Sequence, residues 1–157
     1  MNTIKYLITV LSCLICMQLF ACCNKSNEVI SNPNNILNTD SMKLKITAGT
    51  NTFTATLYNN ATVTAFKTRL PMTVNMKELN SNEKYFDLPD NLSNNALNPG
   101  TIQAGDLMLY RSNTLVLFYK SFSTSYSYTA LGRINDTSGL AAALGSGNVT
   151  VTFELQK

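Results

Sequence analysis

From residue 42 to residue 57 polar and apolar side chains alternate. Met42, Leu44, Ile46 and Ala48 share one face of an extended chain, with Lys43, Lys45 and Thr47 on the other. After a turn at 49–51, Phe53, Ala55 and Leu57 alternate with Thr52, Thr54 and Thr56. A period of two is that of a half-buried strand, so this stretch predicts an antiparallel hairpin. Asn60 then stands as the N-cap of a helix with Val63, Phe66 and Leu70 at helical spacing, stopped by Pro71. Alternation returns at Met72, Val74 and Met76, and a turn at 80–82 leads into a further strand at 83–89. The asparagine-rich segment 90–100 reads as a loop.

Around the stretch 105–134 the rest of the chain is organised. Its runs 107–110 and 115–119 are continuously apolar and flank the turn Arg111, Ser112, Asn113, the pattern of central strands covered on both faces. Between Tyr119 and Tyr128 the chain places Phe122 and Tyr126 among serines and threonines. Rings in such a connection either pack back on the core or line a groove. A returning strand ends in LGRI at 131–134. Asp136 or Thr137 is expected to cap a short helix through Leu140, Ala143 and Leu144, and the turn at 145–147 ends it. The last strand, 148–155, buries Val149, Val151 and Phe153. Seven to nine strands, two short helices and no alternation of strand with helix predict a mainly β domain. The expected architecture is a small closed or nearly closed β-barrel with the two helices covering it.

The first forty residues do not continue these patterns. Lys5 precedes an apolar run at 6–20, with Ala21 just before Cys22, the layout of a secretory signal. Residues 1–21 are therefore expected to be removed. Leu19, Phe20, Ala21 and Cys22 resemble a bacterial lipobox, which makes Cys22 the expected lipidation site; the alternative is an ordinary signal cut near Ala21. The segment 22–40 after the leader is rich in asparagine and serine and reads as a flexible tether with a reach of roughly 20–25 Å. The domain proper is 41–157. The expected address is the bacterial cell envelope, lipid-anchored and facing the periplasm.

Composition removes much chemistry. The sequence has no histidine, and its four cysteines all lie at or before position 23, so neither a histidine-based nucleophile system nor a zinc or haem site has its usual ligands. No metal and no cofactor are expected. Charged residues are 13% of the chain and the net charge is only +3, with the basic residues scattered, which argues against a nucleic-acid partner. Asp87, Asp90, Asp106 and Asp136 each have a local explanation as a turn or cap residue. Arg111 at a hairpin tip is either a hydrogen-bond donor to a ligand carbonyl or a solvated turn residue, and Arg133 is expected to pair with a surface acid.

The segments NEKYFDLP (82–89), NPGTIQAGDLMLY (98–110), LVLFYKSFSTSYSYTALGRI (115–134) and GLAAALGSGNVTVTFE (139–154) resemble the minimal cyclophilin-like β-barrel domains of bacteria. The resemblance implies a barrel with a peptide-binding groove. True cyclophilins are peptidyl-prolyl isomerases that use an arginine on an inner strand together with a tryptophan and a histidine. The corresponding strand here reads Lys84, Tyr85, Phe86, Asp87, and the chain has neither tryptophan nor histidine. The expected function is therefore a membrane-tethered binding module for a peptide or small ligand, a monomer without catalytic residues. Its groove is expected to use Tyr85, Phe86, Met108, Tyr110, Arg111, Phe118, Phe122 and Tyr126. An active isomerase, with Arg111, Lys84 or Arg133 as the donor, and a structural envelope-interaction protein are the alternatives.

Overall fold

The computed structural model of the protein describes residues 42–156. The expected leader, the lipidation site Cys22 and the whole tether lie outside them. The strands, in chain order, are β1 (Lys43–Ala48), β2 (Asn51–Leu57), β3 (Met72–Leu79), β4 (Glu83–Asp87), β5 (Thr101–Ile102), β6 (Asp106–Tyr110), β7 (Thr114–Phe118), β8 (Phe122–Ser123), β9 (Tyr128–Ile134) and β10 (Val149–Leu155). Helix α1 (Ala61–Lys67) joins β2 to β3, and α2 (Leu140–Leu144) joins β9 to β10. Eight strands close into a barrel in the order β1-β10-β3-β4-β7-β6-β9-β2, all pairs antiparallel. Closure leaves the barrel no free edge. Every barrel strand has both of its neighbours within the compact unit Thr39–Lys157.

The alternating residues of the sequence supply the barrel interior. Leu44, Ile46 and Ala48 of β1, Ala55 of β2, Leu107 and Leu109 of β6, Leu115 and Leu117 of β7, and Val151 and Phe153 of β10 form one buried cluster. Strands β6 and β7 are buried on their outer side as well, where Met108, Val116 and Phe118 meet Ile102 and Tyr128 in a second cluster. That second layer explains their unbroken apolar runs. It exists because β5 and β8 pair into a small sheet beside the barrel. Periodicity does not reveal these two strands, since two residues carry no period.

Two local features in β9 set the geometry of the later site. Gly132 faces β2 so closely that a Cβ there would lie 2.6 Å from the Thr56 carbonyl oxygen, so only glycine lets this seam close. The pairing of β6 with β9 shifts between Leu107 and Met108, leaving Leu131 as the extra residue of a bulge. Beyond the bulge Tyr128 lies opposite Tyr110. Both rings consequently belong to the outer layer.

The helices sit at opposite ends of the barrel, because α1 follows the end of β2 and α2 the end of β9, two strands that run antiparallel. The Asn60 side chain caps α1 by accepting from Val63 N at 2.9 Å and also donates to the Ala130 carbonyl. Val63 and Phe66 turn into the barrel core. The helix ends at Lys67 and not at Leu70 as the spacing predicts. Arg69 and Leu70 instead bond back three residues, to Phe66 and Lys67. A residue before proline is disfavoured in the α conformation, which accounts for the early tightening.

The expected caps of α2 are also corrected. Asp136 accepts from Ser138 N, closing its own local turn, and Thr137 contributes only its backbone carbonyl, to Leu140 N. Gly139, with φ 78°, takes the N-cap position, with no side-chain bond. Asp106 is likewise more than a turn residue. It is buried and accepts from Gln103 N and from Arg133 Nε at 2.6 Å. The acid paired with Arg133 is thus a buried one, set opposite it by the β6–β9 register.

Candidate functional site

Strand β4 organises the site, because its alternation sends two different sets of side chains to the two faces of the barrel wall. Phe86 packs against the interior cluster, and Lys84, two residues earlier, is fully buried on the same inner side. Glu83, Tyr85 and Asp87 point outward.

On the inner side the Lys84 ammonium donates to Glu78 Oε2 and to the carbonyl oxygens of Gly145 (2.9 Å) and Gly147 (2.6 Å), just after α2. It also lies 5.4 Å from the centroid of the Tyr119 ring. The Tyr119 hydroxyl donates to Glu78 Oε1 at 2.8 Å. Burial pushes the Glu78 carboxyl up, but the hydrogen bonds from Lys84 and Tyr119 and the Lys84 charge outweigh it and hold this group below the ordinary range. Burial and the hydrogen bond to Glu78 push the Tyr119 phenol up to about 12. The arrangement locks charge in place and ties the end of α2 to the barrel wall.

On the outer side the wall opens into a pocket of about 380 Å³ that follows β4 from the turn before it to the start of β7. In that turn Asn80 and Ser81 both take left-handed backbone, φ 53° and 55°, as a tight hairpin connection requires. Asn82 and Glu83 follow it at one end of the pocket. Asp87 and Thr114, hydrogen-bonded to each other at 2.7 Å, form the other end. Four positions along a strand separate the two acids, about 13 Å of chain. Between them Tyr85, Val116, Phe122, Tyr110, Tyr126 and Tyr128 make the walls. The rings support one another: Tyr110 meets Tyr126 edge-on at 6.1 Å and Tyr128 at 5.5 Å, while Phe118 beneath contacts Phe122 at 5.7 Å and Tyr128 at 5.5 Å.

The acidic end is electrostatically unusual. Glu83 is only 9% exposed, and no hydrogen bond or ion pair reaches its carboxylate among the described residues. Burial first, and then the negative charge of Glu78, push its carboxyl up to about 7. Burial and the Glu83 charge in turn raise the Tyr128 phenol. The side-chain oxygen of Asn82 is also buried, without a partner among the described residues.

Of the expected groove residues, Tyr85, Tyr110, Phe122 and Tyr126 line this one pocket. Met108 and Phe118 belong to the layer packed beneath it. Phe86 is on the other face of β4, because it is one residue out of phase with Tyr85. Arg111 stands exposed at the hairpin tip with φ 53°, its guanidinium 5.4 Å from the Tyr110 ring centroid, and does not line the pocket. Glu83, Asn82 and Tyr128 are additions to the expected set. Glu83 lies two residues before Tyr85 on β4 and so shares its face. Among the described residues no cluster of three or more acidic or cysteine side chains is placed to hold a metal ion. No helix of the described residues is long and apolar enough to cross a membrane.

Comparison with known proteins gives a consistent picture. A family model described as the cyclophilin-like family matches residues 46–154, well over half of the chain. The solution structure of a hypothetical protein from Archaeoglobus fulgidus superposes with a TM-score of 0.51 at 18% identity, covering 74% of this chain and 95% of that one. At that identity the likeness is one of fold. No curated protein matches the sequence.

Proposed function

The chain belongs to the cyclophilin-like family, and from that premise we propose that it is a binding module, tethered to a membrane through Cys22, that holds an extended peptide or small ligand in the outer-face pocket without isomerising it. One observation carries the reading. Tyr85 from β4, Tyr110 from β6, and Phe122 and Tyr126 from the connection between β7 and β9 converge on a single concave, mostly aromatic site of ligand size. Such rings supply contact area at small cost in side-chain entropy.

Catalysis of prolyl isomerisation needs a preorganised donor aimed where charge develops in the twisted amide. The three candidate cations are engaged elsewhere. Lys84 is on the inner face, Arg133 is bound to Asp106, and Arg111 lies outside the pocket lining. Losing one well-placed donor typically lowers a rate by about a hundredfold or more. A proline test peptide should therefore isomerise at its uncatalysed rate in micromolar domain 39–157. A rate enhancement that disappears in Arg111→Ala would establish the isomerase alternative and place its donor at the hairpin tip.

The tether is the second half of the proposal. It is supported by the lipobox-like Leu19, Phe20, Ala21 and Cys22 and by the polar segment that follows. Cys22→Ser should shift the protein from the membrane fraction to the soluble fraction, with loss of lipid label. Wild-type protein found soluble and unlabelled would remove the anchor from the account.

A further inference from the structure

Two acceptors at one end of the pocket, one of them a buried atom, have no donor among the described residues. Among the described residues the carboxyl group of Glu83 has no counter-ion, and the buried Oδ1 of neighbouring Asn82 has no hydrogen-bond partner. Leaving a buried amide oxygen unsatisfied is unfavourable, and so is holding an unpaired charge on a largely buried residue. The chain has a cation directly adjacent in sequence, Lys84, but strand alternation puts it through the wall, where Glu78 and two carbonyls hold it. Lys77 rests outside the pocket lining, its ammonium 5.7 Å from the Tyr85 centroid. The missing partner is thus one that carries both a positive charge and N–H donors. The walls beside the acceptors are tyrosine faces, which attract cations and also accept an alkyl chain.

We infer that the pocket recognises a protonated primary amine on an alkyl chain, with the ammonium between Glu83 and Asn82 Oδ1 and the methylenes against Tyr85 and Tyr110. The inference rests on the binding-module reading and names its ligand class. A lysine side chain of an extended peptide and a free alkylamine present the same chemistry. A lysine side chain fits the elongated shape of the site, since a peptide running along β4 continues toward Asp87 after its ammonium reaches Glu83.

Calorimetric titration of the domain 39–157 with Nα-acetyl-lysine amide and with n-butylammonium tests this, with Nα-acetyl-norleucine amide and 1-butanol as the neutral counterparts. Each cation should bind at least tenfold more tightly than its neutral counterpart. Lysine amide binding better than butylammonium assigns the site to peptide-borne lysine, and the reverse order to free amines. Glu83→Gln should remove the preference for charge, whereas Asp87→Asn, at the far end, should change it less than threefold. Neutral and cationic probes binding equally would overturn the inference while leaving the pocket a binding site. Silence from all four probes, in a wild-type domain whose spectrum shows it folded, would overturn it as well and count against the binding-module reading too. Glu83→Gln retaining the full preference would overturn the placement of the charge.

Discussion

Lys84→Met should destabilise the domain by about 3–5 kcal/mol, the range found when one partner of a buried ion pair is removed. The side chain is fully buried and its ammonium serves three acceptors at once, Glu78 and the carbonyls of Gly145 and Gly147. Methionine fills a similar volume but satisfies none of them. Glu78 would keep the Tyr119 hydroxyl and the Ser81 backbone N–H, and the end of α2 would lose its tie to β4. That helix has five residues and no side-chain cap, so it has little else to hold it. Chemical denaturation measures the loss, and amide exchange should show Ala143 to Gly145 opening first. Adding Glu78→Leu to Lys84→Met should recover part of the stability, because it removes the orphaned charge. A loss below about 1 kcal/mol in the single variant would mean that water satisfies all three acceptors once the lysine is gone.

The opposite sign is expected two strand positions from Tyr85 on the other side of the wall. Glu83→Gln should stabilise the domain by up to about 3 kcal/mol at pH 8 and by little at pH 4.5. The folded-state pKa of Glu83 is pushed up to about 7 from an ordinary value of 4.5 by burial and by Glu78. Folded protein therefore holds this proton more tightly than unfolded protein. Stability from this group is complete below pH 4.5 and is lost as the pH rises from there to 7, at about 1.4 kcal/mol per pH interval of one. Glu78 acts in a separate window. Its lowered pKa means stability that is present above pH 4.5 and lost only as the pH falls below it. The difference between wild type and Glu83→Gln, followed by denaturation from pH 4.5 to 8, isolates the first effect from the second.

The same alternation that defines the barrel in the sequence also holds most of the site. The polar–apolar period at 42–57 and at 72–76 locates β1, β2 and β3, and the unbroken runs at 107–110 and 115–119 identify strands covered on both faces. Tyr85, Tyr110, Phe122 and Tyr126 are legible as rings without an obvious place in a core. Phe86 reads as a groove residue by type, because two adjacent rings on a strand look alike in sequence; only their phase tells which faces outward. Glu83 is hidden because a carboxylate next to a lysine reads as a solvated pair, whereas the strand splits the two to opposite faces. Tyr128 joins the site through the bulge at Leu131, and the outer cover depends on a two-residue sheet. Neither leaves a periodic mark. Arg111 is a plausible donor from its place at the hairpin tip, and its left-handed backbone directs it outside the pocket.

On the proposed reading, Glu83, a largely buried acid with no ion-pair or hydrogen-bond partner among the described residues, is kept for a ligand and not for the fold. That is the central claim, and a single comparison tests it: wild type and Glu83→Gln, in one buffer at pH 8, each measured for unfolding free energy and for affinity toward Nα-acetyl-lysine amide. The account predicts a variant that is more stable than wild type and binds the amide at least tenfold more weakly. A variant that is less stable and binds as well as wild type would show that Glu83 holds the fold together and that the pocket does not use its charge.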